Sequence, residues 1–241
     1  MDDLTWIAGG VRGPIPTFVA TPNDGGPWPG VVVVHDALGM TDDLRHQARW
    51  LASVGYLAAA PDLFHWGGHL RCLVRTMREL ARGTQGPVFD ELAAVQAWLA
   101  AHDRGTGRVG VIGFCLGGGL ALALAPGYGY GAAAVNYGGA TEDGWARLAE
   151  ACPIVASYGG DDTTLPDTAA RLEGVLTSHG IAHDVKEYAG VGHGFMNDHR
   201  RGEGPWVLSM LARWSHTRYD ARASADARRR IAAFFDTHLK T

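Results

Sequence analysis

The segment that most constrains the fold runs from Val109 to Leu120 and reads VGVIGFCLGGGL. A short β-branched run ends at Gly113, and an Ala- and Leu-rich helical pattern follows directly. This is the strand–turn–helix pattern Gly-x-nucleophile-x-Gly, with cysteine where serine usually stands. The turn is so tight that a Cβ atom at Gly113 or Gly117 would collide with its surroundings. We therefore predict that Cys115 is a nucleophile at a helix start, where free N–H groups and the helix dipole favour the thiolate. The alternative is a buried structural cysteine in a glycine-rich junction.

Composition narrows the class of protein. The chain has 241 residues, of which 46% are hydrophobic, enough for one large α/β domain or two small ones. Its formal net charge of -4 argues against nucleic acid as a partner. The 3 cysteines form no CxxC pair, which argues against a zinc ribbon or a disulfide scaffold. The acidic start resembles no signal peptide, and no apolar run is long enough to span a membrane. We expect a cytoplasmic protein with no membrane partner.

Strand and helix patterns alternate along the whole chain. The predicted strands are 16–21 at a sheet edge, 30–35, 56–61, 109–112, 132–137, 154–158 and 183–188. The predicted helices are 42–53 with Thr41 as N-cap, 71–82, one from Pro87, 116–125, one from Pro166, and 221–239. This order predicts an α/β fold, with a mainly parallel sheet and helices on both faces. Because no repeat or linker interrupts it, we expect a single domain over residues 1–241.

Two strand exits downstream of the cysteine carry the side chains that a nucleophile needs. Asp161 and Asp162 follow one strand, and His193 follows the next, in the nucleophile–acid–histidine order of α/β hydrolases. Histidine takes up and returns protons near neutral pH, and the acid fixes its tautomer. His65 and His69 are four residues apart like metal ligands, but the glycines between them disfavour a helix. We therefore expect no metal site.

The pattern resembles the dienelactone hydrolase family of the α/β-hydrolase superfamily, over roughly Val31–Leu239. The likeness rests on four segments, namely Gly113–Gly118, Gly159–Pro166, Gly192–Phe195 and Tyr219–Leu239. In the family's acid loop the aspartate stands four residues before the proline, which implies Asp162 as the acid. The histidine loop implies His193 as the base. The resemblance therefore implies an α/β-hydrolase fold with Cys115, Asp162 and His193 as the catalytic residues.

The resemblance also implies roles for the loop after the valine strand. In the family this loop carries a glutamate that contacts the resting cysteine, and here Asp36 stands at that position. The following backbone N–H is part of the oxyanion hole, which implies the N–H groups of Ala37 and Leu116 as donors. The alternative for Asp36 is that it only caps a turn.

The chain departs from the family in its substrate contacts. Where known members carry a carboxylate-binding arginine four residues after the histidine, this chain has Asn197. Candidates for a second such arginine are Arg71, Arg75 and Arg78. Residues 201–218, which include Trp206, resemble an insertion that would form a lid or a hydrophobic wall over the pocket, or an ordinary surface helix. The loss of one arginine anchor puts dienelactone itself in doubt as the substrate.

We expect a hydrolase that cleaves an activated ester or enol lactone through a thioester at Cys115, without metal or organic cofactor. The expected partner is this small-molecule substrate, and the protein is expected to be a monomer or a homodimer. One alternative is an esterase or thioesterase of the same fold that acts on a larger hydrophobic substrate. The other is a non-catalytic binding protein, for which Cys115 would be no more reactive than the other cysteines.

Overall fold

The computed structural model describes residues 3–83, 85–199 and 218–240. The described strands are β1 (Leu4–Ile7), β2 (Ile15–Ala20), β3 (Trp28–Val34), β4 (Leu57–Pro61), β5 (Gly105–Phe114), β6 (Ala133–Asn136), β7 (Ile154–Gly159) and β8 (His183–Tyr188). The described helices are α1 (Asp42–Ser53), α2 (His69–Arg82), α3 (Pro87–Ala100), α4 (Leu116–Leu124), α5 (Glu142–Arg147), α6 (Thr168–Ser178) and α7 (Ala221–Leu239), with a 3-10 turn at Leu148–Glu150.

The strands form one 8-stranded sheet in the order β1-β2-β4-β3-β5-β6-β7-β8. The pairs β1–β2 and β2–β4 are antiparallel, and the other neighbouring strands are parallel. This confirms the predicted mainly parallel α/β sheet. The prediction of an edge strand at residues 16–21 is wrong, because β1 pairs with β2 and covers it. The four-residue β1 went unpredicted since of its side chains only Ile7 is buried, which leaves no apolar alternation to read.

Helices cover both faces of the sheet, as predicted. In β3, Val32 and Val34 belong to the core that holds α3 and α4, while Val31 and Val33 belong to the core beneath α1 and α7. All four valines are fully buried. A strand with a layer of helices on each face needs apolar side chains at every position, which explains the unbroken valine run.

The predicted helices agree with the observed ones apart from their ends. Helix α1 has the predicted bounds, and the side chain of Thr41 accepts a hydrogen bond from the N–H of Leu44 at 3.3 Å. Helix α2 begins two residues earlier than predicted and α6 two residues later. Helix α5 was not predicted, because its six residues are too few to show a helical period.

The predicted insertion at 201–218 lies outside the described residues except for Arg218, and so does Trp206. Among the helices that are described, none combines the length and the apolar character needed to cross a membrane.

Candidate active site

The turn between β5 and α4 holds Cys115 in a strained conformation, with φ 53° and ψ -111°. This is an unusual backbone conformation for a residue with a side chain. A Cβ atom at Gly113 would lie 1.8 Å from the carbonyl oxygen of Gly117, and one at Gly117 would lie 2.3 Å from that of Val34. Because these two positions lack a side chain, the strand, the turn and the helix can approach each other closely. Cys115 is partly exposed at the end of the strand.

The structure brings Asp162, and not Asp161, to the histidine. The Oδ2 atom of Asp162 lies 2.6 Å from Nδ1 of His193. Its Oδ1 atom accepts hydrogen bonds from the backbone N–H and the hydroxyl of Thr164, at 2.9 and 2.6 Å. Asp162 is buried, whereas Asp161 is exposed. Both oxygens of the buried carboxylate are thus held, one of them against the imidazole.

His193 lies between two acidic groups. Burial lowers the pKa of His193, but its hydrogen bonds to Asp162 and Cys115 outweigh burial and raise that pKa to about 10. Burial also raises the pKa of Asp162, but the hydrogen bonds from His193 and Thr164 outweigh it and hold that pKa below its usual value. The pair therefore favours a protonated imidazole beside an ionised carboxylate at neutral pH.

Close backbone contacts join the acid loop to the histidine loop. The N–H of Gly160 donates to the carbonyl of Tyr188 at 2.8 Å, and that of Asp161 donates to the carbonyl of Val191 at 2.9 Å. A Cβ atom at Gly159 would lie 2.4 Å from the Val191 carbonyl oxygen. Because the ends of β7 and β8 are fastened together in this way, the Asp162–His193 distance is set by the sheet.

Asn197 is buried, and both the oxygen and the nitrogen of its amide form hydrogen bonds within the protein. Its Oδ1 atom accepts from the Tyr137 hydroxyl, and its Nδ2 donates to Oδ2 of Asp43 at 2.7 Å. The other oxygen of Asp43 accepts from the N–H of Asp198 at 3.0 Å. Since Asp43 belongs to α1, this network fastens the histidine loop to that helix. Tyr137 also packs edge-on against His193, with ring centroids 5.2 Å apart.

Asp36 lies in the loop that follows β3, with its two carboxylate oxygens on different partners. Oδ1 accepts from the N–H of Leu38 at 2.7 Å, and Oδ2 lies 2.6 Å from Nε2 of His199. Within the described part of the chain, the hydrogen bonds of this carboxylate go to those two residues and not to Cys115. A turn-capping role is therefore present, and the contact with cysteine implied by the resemblance remains a prediction.

The implied oxyanion donors lie on adjoining backbone. The N–H of Leu116 opens α4, so no helical carbonyl is available to accept its hydrogen bond. The start of α4 packs on the end of β3, because a Cβ atom at Gly117 would approach the carbonyl oxygens of Val34 and His35 to 2.3 and 2.6 Å. This packing places the loop that carries Ala37 beside the cysteine turn.

The three candidate arginines lie together on α2. Arg71, Arg75 and Arg78 line an open groove of about 650 Å³ on α2, whose lining includes Trp66 but neither Cys115 nor His193. The guanidinium of Arg75 is already held by Glu79 at 2.7 Å. A substrate-binding role for these arginines remains a prediction without a geometric link to the cysteine.

Metal ligands are not grouped anywhere in the described residues, where no three His, Cys, Asp or Glu side chains could hold an ion together. The two histidines with metal-like spacing have other partners. His65 lies 3.3 Å from Glu91, and Nε2 of His69 donates to the carbonyl of Ala37 at 2.8 Å.

Sequence reasoning missed several residues around the site. Thr164 stands two positions after Asp162, which is the spacing of a local side-chain turn and was readable from the sequence. His35 directly precedes Asp36 in the loop after β3, and this position was a weaker indication of a role at the site. No local pattern in the sequence indicated Tyr137 or His199, because their partners are distant in the chain. Tyr137 and Asn197 are 60 residues apart, and Asp36 and His199 are 163 residues apart.

An eight-stranded, mainly parallel sheet with a cysteine held in a strained turn between a strand and a helix defines an α/β-hydrolase fold. A sequence model of the dienelactone hydrolase family matches residues 15–239. The chain belongs to this family and is an ester-hydrolysing enzyme.

Individual relatives agree with this assignment. A Methylorubrum extorquens protein provisionally named carboxymethylenebutenolidase is 29% identical over 80% of this chain and 74% of its own. The carboxymethylenebutenolidase of Rhodococcus opacus is 27% identical over 85% of this chain and 84% of its own. A solved structure from Klebsiella pneumoniae, provisionally named a dienelactone hydrolase, matches with a TM-score of 0.77 and 25% identity over 96% of both chains.

Proposed function

We propose that the protein hydrolyses activated carboxylic esters and enol lactones through a thioester at Cys115, with His193 as the proton carrier and Asp162 as its partner. One observation carries this proposal. The His193 imidazole hydrogen-bonds both the buried Asp162 carboxylate, at 2.6 Å, and the cysteine of a strained strand–helix turn. Such a pairing holds the thiol proton on the imidazole and leaves sulfur as the nucleophile.

In the first half of the reaction, the Cys115 thiolate attacks the carbonyl carbon of the ester and forms a C–S bond. The carbonyl electron pair moves onto oxygen, and the N–H groups of Ala37 and Leu116 donate to this oxyanion. When the intermediate collapses, the C–O bond breaks and the imidazolium of His193 protonates the departing oxygen. With an open-chain ester this half yields a released alcohol or phenol and a thioester on Cys115. With an enol lactone the ring opens, so the enol stays attached to the acyl group of the thioester and becomes a ketone.

In the second half, neutral His193 takes a proton from water, and the resulting hydroxide attacks the thioester carbon. The tetrahedral intermediate then expels the thiolate of Cys115, and the acid product leaves. Asp162 stabilises the imidazolium that forms in this step and keeps Nδ1 as the donor nitrogen. The site returns to its starting charges without any cofactor.

The nucleophile restricts the class of substrate. A thiolate is a good leaving group. When the alkoxide of the substrate is a poorer leaving group than the thiolate, the tetrahedral intermediate expels sulfur and returns to the intact ester. The leaving groups of aryl esters and enol lactones are stabilised oxyanions, so these substrates favour transfer of the acyl group to sulfur. We accordingly expect much faster turnover of these esters than of simple alkyl esters.

Kinetics with an aryl ester and an enol lactone test the proposal. We expect Cys115→Ala to abolish turnover while the protein stays folded, as circular dichroism would show, and Cys152→Ala to keep turnover. Brief treatment with iodoacetamide near pH 7 should label Cys115 first, because burial raises the pKa of Cys72 and raises that of Cys152 to about 12. Full turnover by a folded Cys115→Ala variant would overturn the proposal.

A larger hydrophobic ester or a thioester is the second candidate substrate. The engagement of Asn197 with Tyr137 and Asp43 favours it, because no arginine stands there to anchor a substrate carboxylate. Comparison of an enol lactone that carries a carboxylate with its neutral analogue separates the two. A similar kcat/KM for both lactones would favour the hydrophobic substrate, and a strong preference for the charged lactone would exclude it.

A further inference from the structure

Around the loop between β3 and α1 lies a cluster of side chains that no step of the proposed reaction uses. His35 is completely buried, and two hydrogen bonds define its protonation. Its Nε2 accepts from the backbone N–H of Leu63 at 3.2 Å, so its proton lies on Nδ1, which donates to the carbonyl of Asp36 at 2.7 Å. Burial lowers the pKa of His35, in agreement with a neutral ring.

The carbonyl of Asp36 belongs to the same peptide group as the N–H of Ala37. In a planar trans peptide these two bonds point in opposite directions, so a group that fixes the carbonyl also fixes the direction of the N–H. The next peptide group is fixed as well, because Nε2 of His69 donates to the carbonyl of Ala37 at 2.8 Å and Oδ1 of Asp36 accepts from the N–H of Leu38 at 2.7 Å.

The two histidines belong to one packed unit. The ring of Phe64 contacts His35 edge-on at 4.5 Å between centroids and His69 in the same manner at 5.0 Å. Both peptide groups around Ala37 are therefore held by side chains that are themselves packed, and the loop cannot turn one peptide without breaking a hydrogen bond.

We propose that His35 and His69 are positioning residues for the oxyanion hole, which aim the backbone N–H of Ala37 at the developing oxyanion. The inference rests on the proposed function, since it concerns the donor used in acyl transfer. Donors of this kind stabilise a transition state most when their direction is set before the reaction begins. His35 acts through the Asp36 carbonyl, and His69 acts through the Ala37 carbonyl.

Two amide substitutions of His35 distinguish a role in orienting the Ala37 N–H from a role in packing alone. In His35→Asn the amide nitrogen stands as many bonds from the backbone as Nδ1, so it retains the donor to Asp36. In His35→Gln the amide reaches towards Leu63 instead and leaves the Asp36 carbonyl without its side-chain donor. Both variants bury a neutral amide of similar polarity, so each serves as the control for the other.

Two rates are measured for each variant, namely acylation by an aryl ester and alkylation of Cys115 by iodoacetamide. Acylation needs the oxyanion donor, whereas alkylation is a displacement at a saturated carbon and forms no oxyanion. We expect His35→Gln to lower acylation about 10- to 100-fold, His35→Asn to stay within about 3-fold of the parent protein, and alkylation to stay nearly constant in both. Acylation by His35→Gln at the parental rate, equal losses in the two variants, or a parallel loss of alkylation would overturn the inference.

His69 offers a second test if the variants at the buried position fail to fold, because its side chain is partly exposed. A glutamine at this position can still donate to the Ala37 carbonyl, whereas an alanine cannot. We expect His69→Ala, but not His69→Gln, to slow acylation with unchanged alkylation, and equal rates in the two variants would contradict the proposal. A parent protein that forms no acyl adduct on Cys115 at all would instead overturn the proposed function and this inference with it.

Discussion

Replacement of Asp162 by asparagine should disable the enzyme for a reason that the hydrogen bonds around it specify. The Oδ1 position accepts the backbone N–H of Thr164 at 2.9 Å, so the amide oxygen of the new side chain must occupy it. The NH₂ group then faces Nδ1 of His193, which lies 2.6 Å from Oδ2 in the parent protein. Two donors cannot face each other, so the imidazole must adopt the tautomer with its proton on Nε2.

A histidine in that tautomer can no longer take a proton from water in the second half of the reaction. The corresponding change in a serine protease lowers kcat about 10⁴-fold. Because a thiol ionises more readily than a hydroxyl, we expect a loss of about 10³- to 10⁴-fold for Asp162→Asn, or roughly 4 to 5.5 kcal/mol at 1.36 kcal/mol for each factor of ten. The assay is steady-state hydrolysis of an aryl ester, with circular dichroism to verify the fold.

Asp161→Asn is the matched control, because this neighbouring carboxylate is exposed. We expect it to change kcat less than about 2-fold, as substitutions at exposed positions usually have small effects. A folded Asp162→Asn variant within tenfold of the parent activity, or equal losses at both positions, would refute the assignment of the acid and the argument from tautomers.

Three further predictions concern stability and substrate choice. Gly117→Ala should destabilise the fold by more than about 2 kcal/mol in urea unfolding, because its Cβ would lie 2.3 Å from the Val34 carbonyl oxygen. Gly174→Ala, which has open space around its Cβ, should instead stabilise the fold by about 0.5–1 kcal/mol. Equal effects of the two substitutions would contradict this prediction. Asn197→Ala should cost about 1–3 kcal/mol yet change KM for charged and neutral lactones by the same factor, whereas a selective rise for the charged lactone would show a substrate contact. Because the pKa of His193 is raised from 6.5 to about 10, its contribution to stability is complete below about pH 6.5 and is lost as the pH rises through about 10; the stability deficit of His193→Gln should therefore shrink over that range, and a constant deficit would contradict it.

The sequence was informative wherever a local pattern determines the structure. The valine run, the Thr41 cap and the glycines around Cys115 each reflect a constraint that acts within a few residues, and the structure shows β3, α1 and the strained turn at those places. The same holds for the strand exits that carry Asp162 and His193, because the carboxyl ends of parallel strands meet at one edge of a sheet. These two residues lie together as expected, although their catalytic roles remain a prediction.

The sequence was uninformative where a contact depends on the final packing of distant segments. Asn197 was selected because it replaces an arginine, but its burial against Tyr137 and Asp43 depends on how the histidine loop sits on α1. The antiparallel strand β1 has one buried side chain in four residues, so no periodic pattern of apolar residues predicts it. The tautomer of His35 follows from a hydrogen bond to Leu63 that only the folded chain reveals.

In the proposed reaction the sulfur of Cys115 carries the acyl group, and rapid-quench mass spectrometry can detect that thioester. The protein is mixed with an aryl ester, quenched within the first turnover and digested. We expect one acyl adduct, sensitive to hydroxylamine, on the peptide that contains Cys115, formed as fast as the first product is released. Turnover without an adduct, or an adduct on any other residue, would contradict acyl transfer through Cys115.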